Sequence, residues 1–296
     1  DGTVDYDTNG QFDGLDNDET AVDSFVYQIS DGNGGVATAT ATITITGQED
    51  PIVSLADEGE VNEGSTVTID VLTNDSDPDN ANDTNPGGVD DNDDPLTVIG
   101  VGNLPANSGT AATTADGLSV TFDPGTDFED LGEGESETVT FTYTASTNDG
   151  TDATIVETVT VTVNGTNDGP VAVDDAETVT ENATVTVDLL TAIDSPSGNP
   201  DSDVDDDTLT VTEINGIAAG GTITLASGAE VIVNGDGTVN YDTNGIYDGM
   251  DDGESVIDSF VYTISDGQGG TATATATVTI NGEDDPIVAA PDTGSV

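Results

Sequence analysis

The side chains able to do chemistry in this chain are almost all carboxylates, and they gather in short acidic stretches. One stretch runs Asn74-Asp75-Ser76-Asp77-Pro78-Asp79 and continues to Asp90, Asp91, Asp93 and Asp94; its partner carries Asp194, Asp201, Asp203, Asp205, Asp206 and Asp207. Carboxylates at alternate residues converge on one cation when a loop curls, and calcium suits such all-oxygen sites of carboxylate, amide and carbonyl groups. The expected metal ligands are Asp75, Asp77, Asp79, Asp91, Asp93 and Asp94 in the first loop, and Asp194, Asp203, Asp205 and Asp207 in the second. A further acidic place, Asp5-Tyr6-Asp7-Thr8-Asn9-Gly10 followed by Asp16, matches the start of an EF-hand loop with Asp in place of Glu at its end. Its copy begins at Asn240 and continues through Asp242, Asn244 and Gly245 to Asp251. No helical pattern flanks either copy, so an ordinary acidic turn is expected there ahead of a calcium-bound one.

The residues that are missing exclude as much as these include. The chain has 296 residues with 61 Asp plus Glu and no Lys, Arg, His, Cys or Trp. There is no imidazole base, thiolate, Schiff-base lysine or thiolate metal site. A pair of carboxylates can run glycoside hydrolysis, but that chemistry needs one acid with a raised pKa in a shaped pocket, and no spacing singles out such a pair. No enzyme activity is expected. With no cationic side chain, nucleic acid and anionic lipid surfaces are repelled. Disulfides and lysine-dependent isopeptide crosslinks are equally out of reach. A formal net charge of -61 leaves every carboxylate without an internal counter-charge, so the neutralising cations must come from solution. Disorder and a merely solvated acidic surface compete with cation binding as readings of this charge. The concentration of acids at turns, away from strand faces, favours binding.

The elements that must position these acids are β-strands. Apolar and β-branched residues alternate with polar ones over short runs separated by Gly, Asn and Asp, the period of half-buried strands. In the last third of the chain this predicts strands over 183–190, 208–214, 221–225, 229–233, 238–241, 256–265 and 271–280. The expected core face is Val179, Val185, Val187, Leu189, Leu209, Val211, Ile223, Phe260, Tyr262, Ile264, Val278 and Ile280. Asp266-Gly267-Gln268-Gly269-Gly270, like Asp31-Gly32-Asn33-Gly34-Gly35, is a hairpin turn with glycines suited to positive φ. The Thr-Ala alternation of Thr271 to Thr277 reads as a small-residue strand at a sandwich edge in preference to a surface array facing ice or a partner. No apolar run approaches the ~20 residues that cross a bilayer, and the chain does not open on a basic, apolar export segment.

The strands repeat as a unit. The opening stretch from Asp1 to Val53 returns from residue 236 onward with 37 of 53 positions identical and Pro51 aligning on Pro286, and a weaker copy ends at Pro170. This phase gives four expected segments: 1–50, the C-terminal part of one repeat; 51–169 and 170–285, two complete β-sandwich repeats; and 286–296, the start of the next. The chain reads as a window on a longer protein in which two domain types alternate.

The run SFVYTISDGQGGTATATATVTINGEDDPIV resembles the closing half of the VCBS and cadherin-like repeats of giant bacterial adhesins, including those with RTX export signals. PVAVDDAETVTENATVTVDLL followed by DSDVDDDTLTV resembles their opening half. The resemblance implies an all-β fold of tandem immunoglobulin- or cadherin-like Greek-key sandwiches in an elongated array, secretion, and calcium at domain junctions, several ions per repeat. It also implies which residues hold the junction calcium: Glu49, Asp50, Asn167, Asp168, Glu283, Asp284 and Asp285 from the linkers, with Asp57, Asp174, Asp175 and Asp292 from the incoming domain. The expected function is a calcium-stiffened spacer of a surface adhesin or biofilm-matrix fibre. Its partners would be neighbouring repeats and, through lateral association, other copies. The alternative is a calcium-dependent carbohydrate-binding module, but six Phe and six Tyr, mostly at strand positions, offer no aromatic platform for a sugar.

Overall fold

A computed structural model of the chain describes residues 2–15, 19–48, 50–76, 96–147, 154–191 and 198–286. All regular structure in them is β-strand, as Val, Ile, Thr and Tyr on alternating positions dictate. The chain forms two compact units: residues 1–128 with 136–164, and residues 129–135 with 165–296.

The second unit is a two-sheet sandwich. One sheet holds β10 (Asp175–Thr180), β18 (Thr271–Asn281), β17 (Ser255–Ser265), β12 (Thr210–Ile214) and β13 (Ile217–Ala218), in that order. The other holds β11 (Thr184–Asp188), β16 (Thr238–Asp242), β15 (Glu230–Val233) and β14 (Thr222–Thr224). Val187, Leu189, Val231, Val239 and Tyr241 meet Ile214, Phe260, Tyr262, Ile264, Val278 and Ile280 in one fully buried core. Burying each such side chain contributes roughly 2 kcal/mol. Of the expected core face, Val185 and Leu209 are only partly buried and pack against the rest.

Two strands escape the sequence pattern. β13 is a two-residue hairpin arm behind Asn215-Gly216, both at positive φ, the geometry of a type I′ turn. β10 pairs in parallel with β18, from Asp175↔Ala276 to Thr180↔Asn281. This pairing corrects the expectation for the Thr-Ala strand: β18 lies inside the sheet between β10 and β17, and Ala274 and Ala276 are buried because they face the core.

The first unit repeats the plan. One sheet runs β3 (Asp57–Asn62), β9 (Thr154–Asn164), β8 (Ser136–Ser146) and β5 (Thr97–Gly102); the other runs β4 (Val67–Ile69), β7 (Val120–Asp123) and β6 (Thr110–Thr113). β3 pairs in parallel with β9, as β10 does with β18. The β5–β8 ladder carries a bulge between Val98 and Gly100, matching the one between Val211 and Glu213. β1 (Thr20–Ser30) and β2 (Val36–Thr46) form a separate two-stranded sheet in the same hairpin register as β17 and β18. Tyr27 and Ile29 on it are 42% and 61% exposed, where their counterparts Tyr262 and Ile264 are fully buried.

Candidate metal centre

An isolated antiparallel bridge, Val171↔Ser202, pins the start of the acidic loop in the second unit. From there the loop folds on itself: the Asp205 amide donates to Asp203 Oδ1 at 3.0 Å, and Asp206 takes the left-handed φ of 58°. Asx turns of this kind are a property of Asp itself. Alternate side chains therefore point one way, and oxygens of Asp203, Asp205 and Asp207 come within 4.8 Å of one another. Val204 between them points out, 46% exposed.

Two other segments close on this cluster. The Asp168 amide donates to Asp205 Oδ2 at 2.7 Å. Asn167 Nδ2 donates to Asp266 Oδ2 at 3.1 Å, while Asp266 Oδ1 accepts the amides of Gln268, Gly269 and Gly270 in the hairpin turn. Gly267 and Gly269 supply the positive φ that the turn needs. These donors, chiefly the Asn167 amide, hold the Asp266 carboxyl below its ordinary pKa against the opposing effect of burial. Asp207 is pushed the other way, by burial first and then by the charges of Asp203, Asp266, Asp205 and Glu135.

Whether a cation fits can be judged from the oxygens left over. Asn167 Oδ1, Asp203 Oδ2 and Asp205 Oδ1 are all buried and accept no hydrogen bond. Buried acceptors are ordinarily paired, and a chain without Lys, Arg or His has no side-chain cation to offer them. Carboxylate and amide oxygens with no nitrogen or sulfur among them suit a hard divalent ion such as calcium.

The structure thus brings together Asn167, Asp168, Asp203, Asp205 and Asp207, which the sequence places in two separate stretches. Asp168 contributes its backbone amide. Asp266 belongs to the cluster as well, although its sequence context marks it only as a turn residue. Asp57 and Asp175 lie elsewhere, buried inside their own units. Asp174 is exposed and accepts the Thr275 amide at 2.8 Å; Glu283, Asp284 and Asp285 are exposed. Asp75 is half-buried beside Tyr143, and Asp50 is half-buried. Glu49, Asp77, Asp79, Asp91, Asp93, Asp94 and Asp194 lie outside the described residues, as do Asp16 and Asp292. At the EF-hand-like stretch and its copy, the Asp7 and Asp242 side chains accept the amides of Asn9 and Asn244, which sit at positive φ next to Gly10 and Gly245. That is an Asx turn.

Among solved structures, the fold resembles mouse cadherin-23 EC22-24 at 15% identity and TM-score 0.46, covering 88% of this chain and 74% of that one. It also resembles mouse protocadherin-24 EC1-3 at 16% identity and TM-score 0.45, covering 88% and 79%. Human mucin-like protocadherin EC1-2 matches at 16% identity and TM-score 0.42, covering 78% and 98%. No protein of curated function matches the sequence. The bacterial cadherin-like domain family matches residues 167–282, and the bacterial Ig domain family matches residues 1–46 and 48–163. The chain belongs to the bacterial Ig domain family, with its second sandwich matched by the bacterial cadherin-like model.

Proposed function

We propose that this chain is a calcium-stiffened extracellular spacer, a run of sandwich repeats over 51–169 and 170–285 within a surface adhesin or biofilm-matrix fibre of the VCBS and RTX-adhesin kind. The observation that supports this most is the trio of buried, unpaired oxygens on Asn167, Asp203 and Asp205, drawn from the segment before the second sandwich and from a loop within it. A cation held there would tie the two segments together and cancel repulsion among Asp203, Asp205 and Asp207. Calcium that binds only the folded arrangement stabilises it by RT ln(1 + [L]/Kd) for each site, about 2.7 kcal/mol at a hundredfold excess over Kd. The role is structural. Neighbouring repeats are the first partners, and lateral association of copies is the second.

Small-angle scattering of the chain in millimolar calcium and then in chelator, at fixed ionic strength, tests the proposal together with calorimetric melting. Calcium is expected to narrow the distribution of maximum dimensions and to raise the melting temperature. An identical scattering curve and an identical melting temperature in the two conditions would refute it.

A further inference from the structure

Apart from that cluster, each sandwich sets a buried aspartate beside a second one where the chain supplies too few hydrogen-bond donors. In the first unit Asp57, at the start of β3, is 8% exposed, and its Oδ2 is buried and unpaired. Asp75 beside it accepts the Leu55 amide on Oδ1 and the Tyr143 hydroxyl on Oδ2. That same hydroxyl lies 3.1 Å from the Val71 carbonyl, so one proton faces two acceptors. Asn74 Nδ2 is shared among the carbonyls of Leu55 and Ala56 and the Asp57 carboxyl, and neither it nor the Tyr143 hydroxyl reaches Asp57 Oδ2.

The second unit repeats the arrangement of two aspartates and a tyrosine, with Pro200 in the place of Asn74. Asp175, at the start of β10, is 5% exposed with Oδ2 buried and unpaired. Asp201, equally buried, accepts the Val173 amide at 2.7 Å. The Tyr262 hydroxyl lies 2.7 Å from the Val173 carbonyl, 3.3 Å from the Leu189 carbonyl and 3.4 Å from both oxygens of Asp201. Equivalent bridges, Val53↔Ser76 and Val171↔Ser202, hold the two aspartate-bearing segments against each other. Burial, then the Asp75 charge, pushes Asp57 up to about 6; burial pushes Asp175 up to about 7, with the Asp201 charge adding to it. With no basic residue anywhere in the chain, such a pair of carboxylates is neutralised only by a proton or by a cation from solution.

We propose that each sandwich holds a divalent cation, with calcium as the fitting ion, between two aspartates: the buried Asp57 and half-buried Asp75 in the first, the buried Asp175 and Asp201 in the second. The neutral oxygens at hand are the Val71 carbonyl in the first unit and the Val173 and Leu189 carbonyls in the second. Oxygen-only donors of this kind exclude the softer metals. These sites sit inside single sandwiches, and their occupancy does not depend on the spacer reading.

The chain has no Trp, so tyrosine-sensitised terbium emission reports a cation held beside a tyrosine. The full chain is titrated with terbium and then with competing calcium, and calcium stoichiometry is measured by calorimetry. The parent is expected to give sensitised emission that calcium displaces, with a lifetime longer than that of the fully hydrated ion. The double variant Asp57→Asn, Asp175→Asn is expected to lose most of that emission and about one bound calcium per sandwich. The variant Asp203→Asn, Asp205→Asn is expected to keep the emission while losing calcium from the cluster. Unchanged emission and stoichiometry in the Asp57/Asp175 variant, with a higher melting temperature in chelator, would mean that each pair shares a proton instead and would overturn the proposal. If that variant fails to fold, the parent alone decides: absent emission, or emission with the lifetime of a fully hydrated ion, overturns it as well.

Discussion

Replacing Asp205 with Asn separates a cation site from a merely acidic loop, because the two predict opposite signs. The oxygens of Asp203, Asp205 and Asp207 lie within 4.8 Å of one another. At that spacing each pair of charges repels by roughly 0.9 kcal/mol in a water-like dielectric, and several-fold more where water is excluded. Asp205→Asn removes two of the three pairs, so without calcium the variant gains about 2 kcal/mol. The Asp168 amide keeps its acceptor, since an Asn carbonyl oxygen can stand where Asp205 Oδ2 accepts that bond at 2.7 Å. With calcium the balance reverses: a site occupied at a hundredfold excess over Kd contributes about 2.7 kcal/mol, and most of this is lost with an anionic ligand. For a domain of this size, 1 kcal/mol corresponds to roughly 4 °C. The variant should therefore melt roughly 8 °C above the parent in chelator, and its calcium-induced rise should shrink by about 10 °C. Differential scanning calorimetry of both proteins in both conditions reads this directly. A variant that melts above the parent by the same margin in chelator and in calcium would refute the reasoning, because the side chain would then act only through charge repulsion in an acidic loop.

Acidity gives a second sign test. Asp57 and Asp201 near 6 and Asp175 near 7 all stand above the ordinary 3.8, so the folded chain binds these protons more tightly than the unfolded one. In chelator, stability should be lowest above pH 7, rise as pH falls through these values, and gain nothing further from these groups below 3.8. In millimolar calcium the trend should invert, because protons compete with the metal; melting curves across the range check both. Tyr241→Phe breaks the hydroxyl's 2.7 Å bond to Asp258 and should cost about 2 kcal/mol, with a double-mutant cycle against Asp258→Asn returning most of it as coupling. Gly165→Ala would drive a methyl group into the Leu131 and Gly132 carbonyls and should cost about 3 kcal/mol in denaturant unfolding, although φ at Gly165 is ordinary.

The strands are legible in the sequence wherever one face meets the core, because alternation carries that information directly. β17 and β18 are found to within a residue or so. β10 is not, since Asp175-Ala176-Glu177-Thr178 reads as polar and its place is fixed by parallel pairing with a strand almost a hundred residues later. The acids of the loop after β11 are legible as a group, but their convergence with Asn167 and Asp266 is not: it depends on a hairpin turn and an incoming segment meeting the loop in space. Asp266 is hidden by its own local duty, since three turn amides account for its presence without any metal. Asp57 and Asp175 are legible as acids following each junction, but their burial is not: an Asp at the head of a strand looks solvent-facing, and only the tertiary fold encloses it within its own sandwich.

The parallel pairing that opens each sandwich also decides how it meets tension. β10 begins its domain and β18 ends it, running side by side in the same direction over six paired residues; β3 and β9 do the same in the first unit. A pull on the two ends of such a domain draws these strands past each other lengthwise, so the ladder bonds between them bear load together in shear. An antiparallel hairpin such as β17–β18, pulled at its open end, would give way one bond at a time. Each sandwich is in effect clamped across its own termini, along the line of pull.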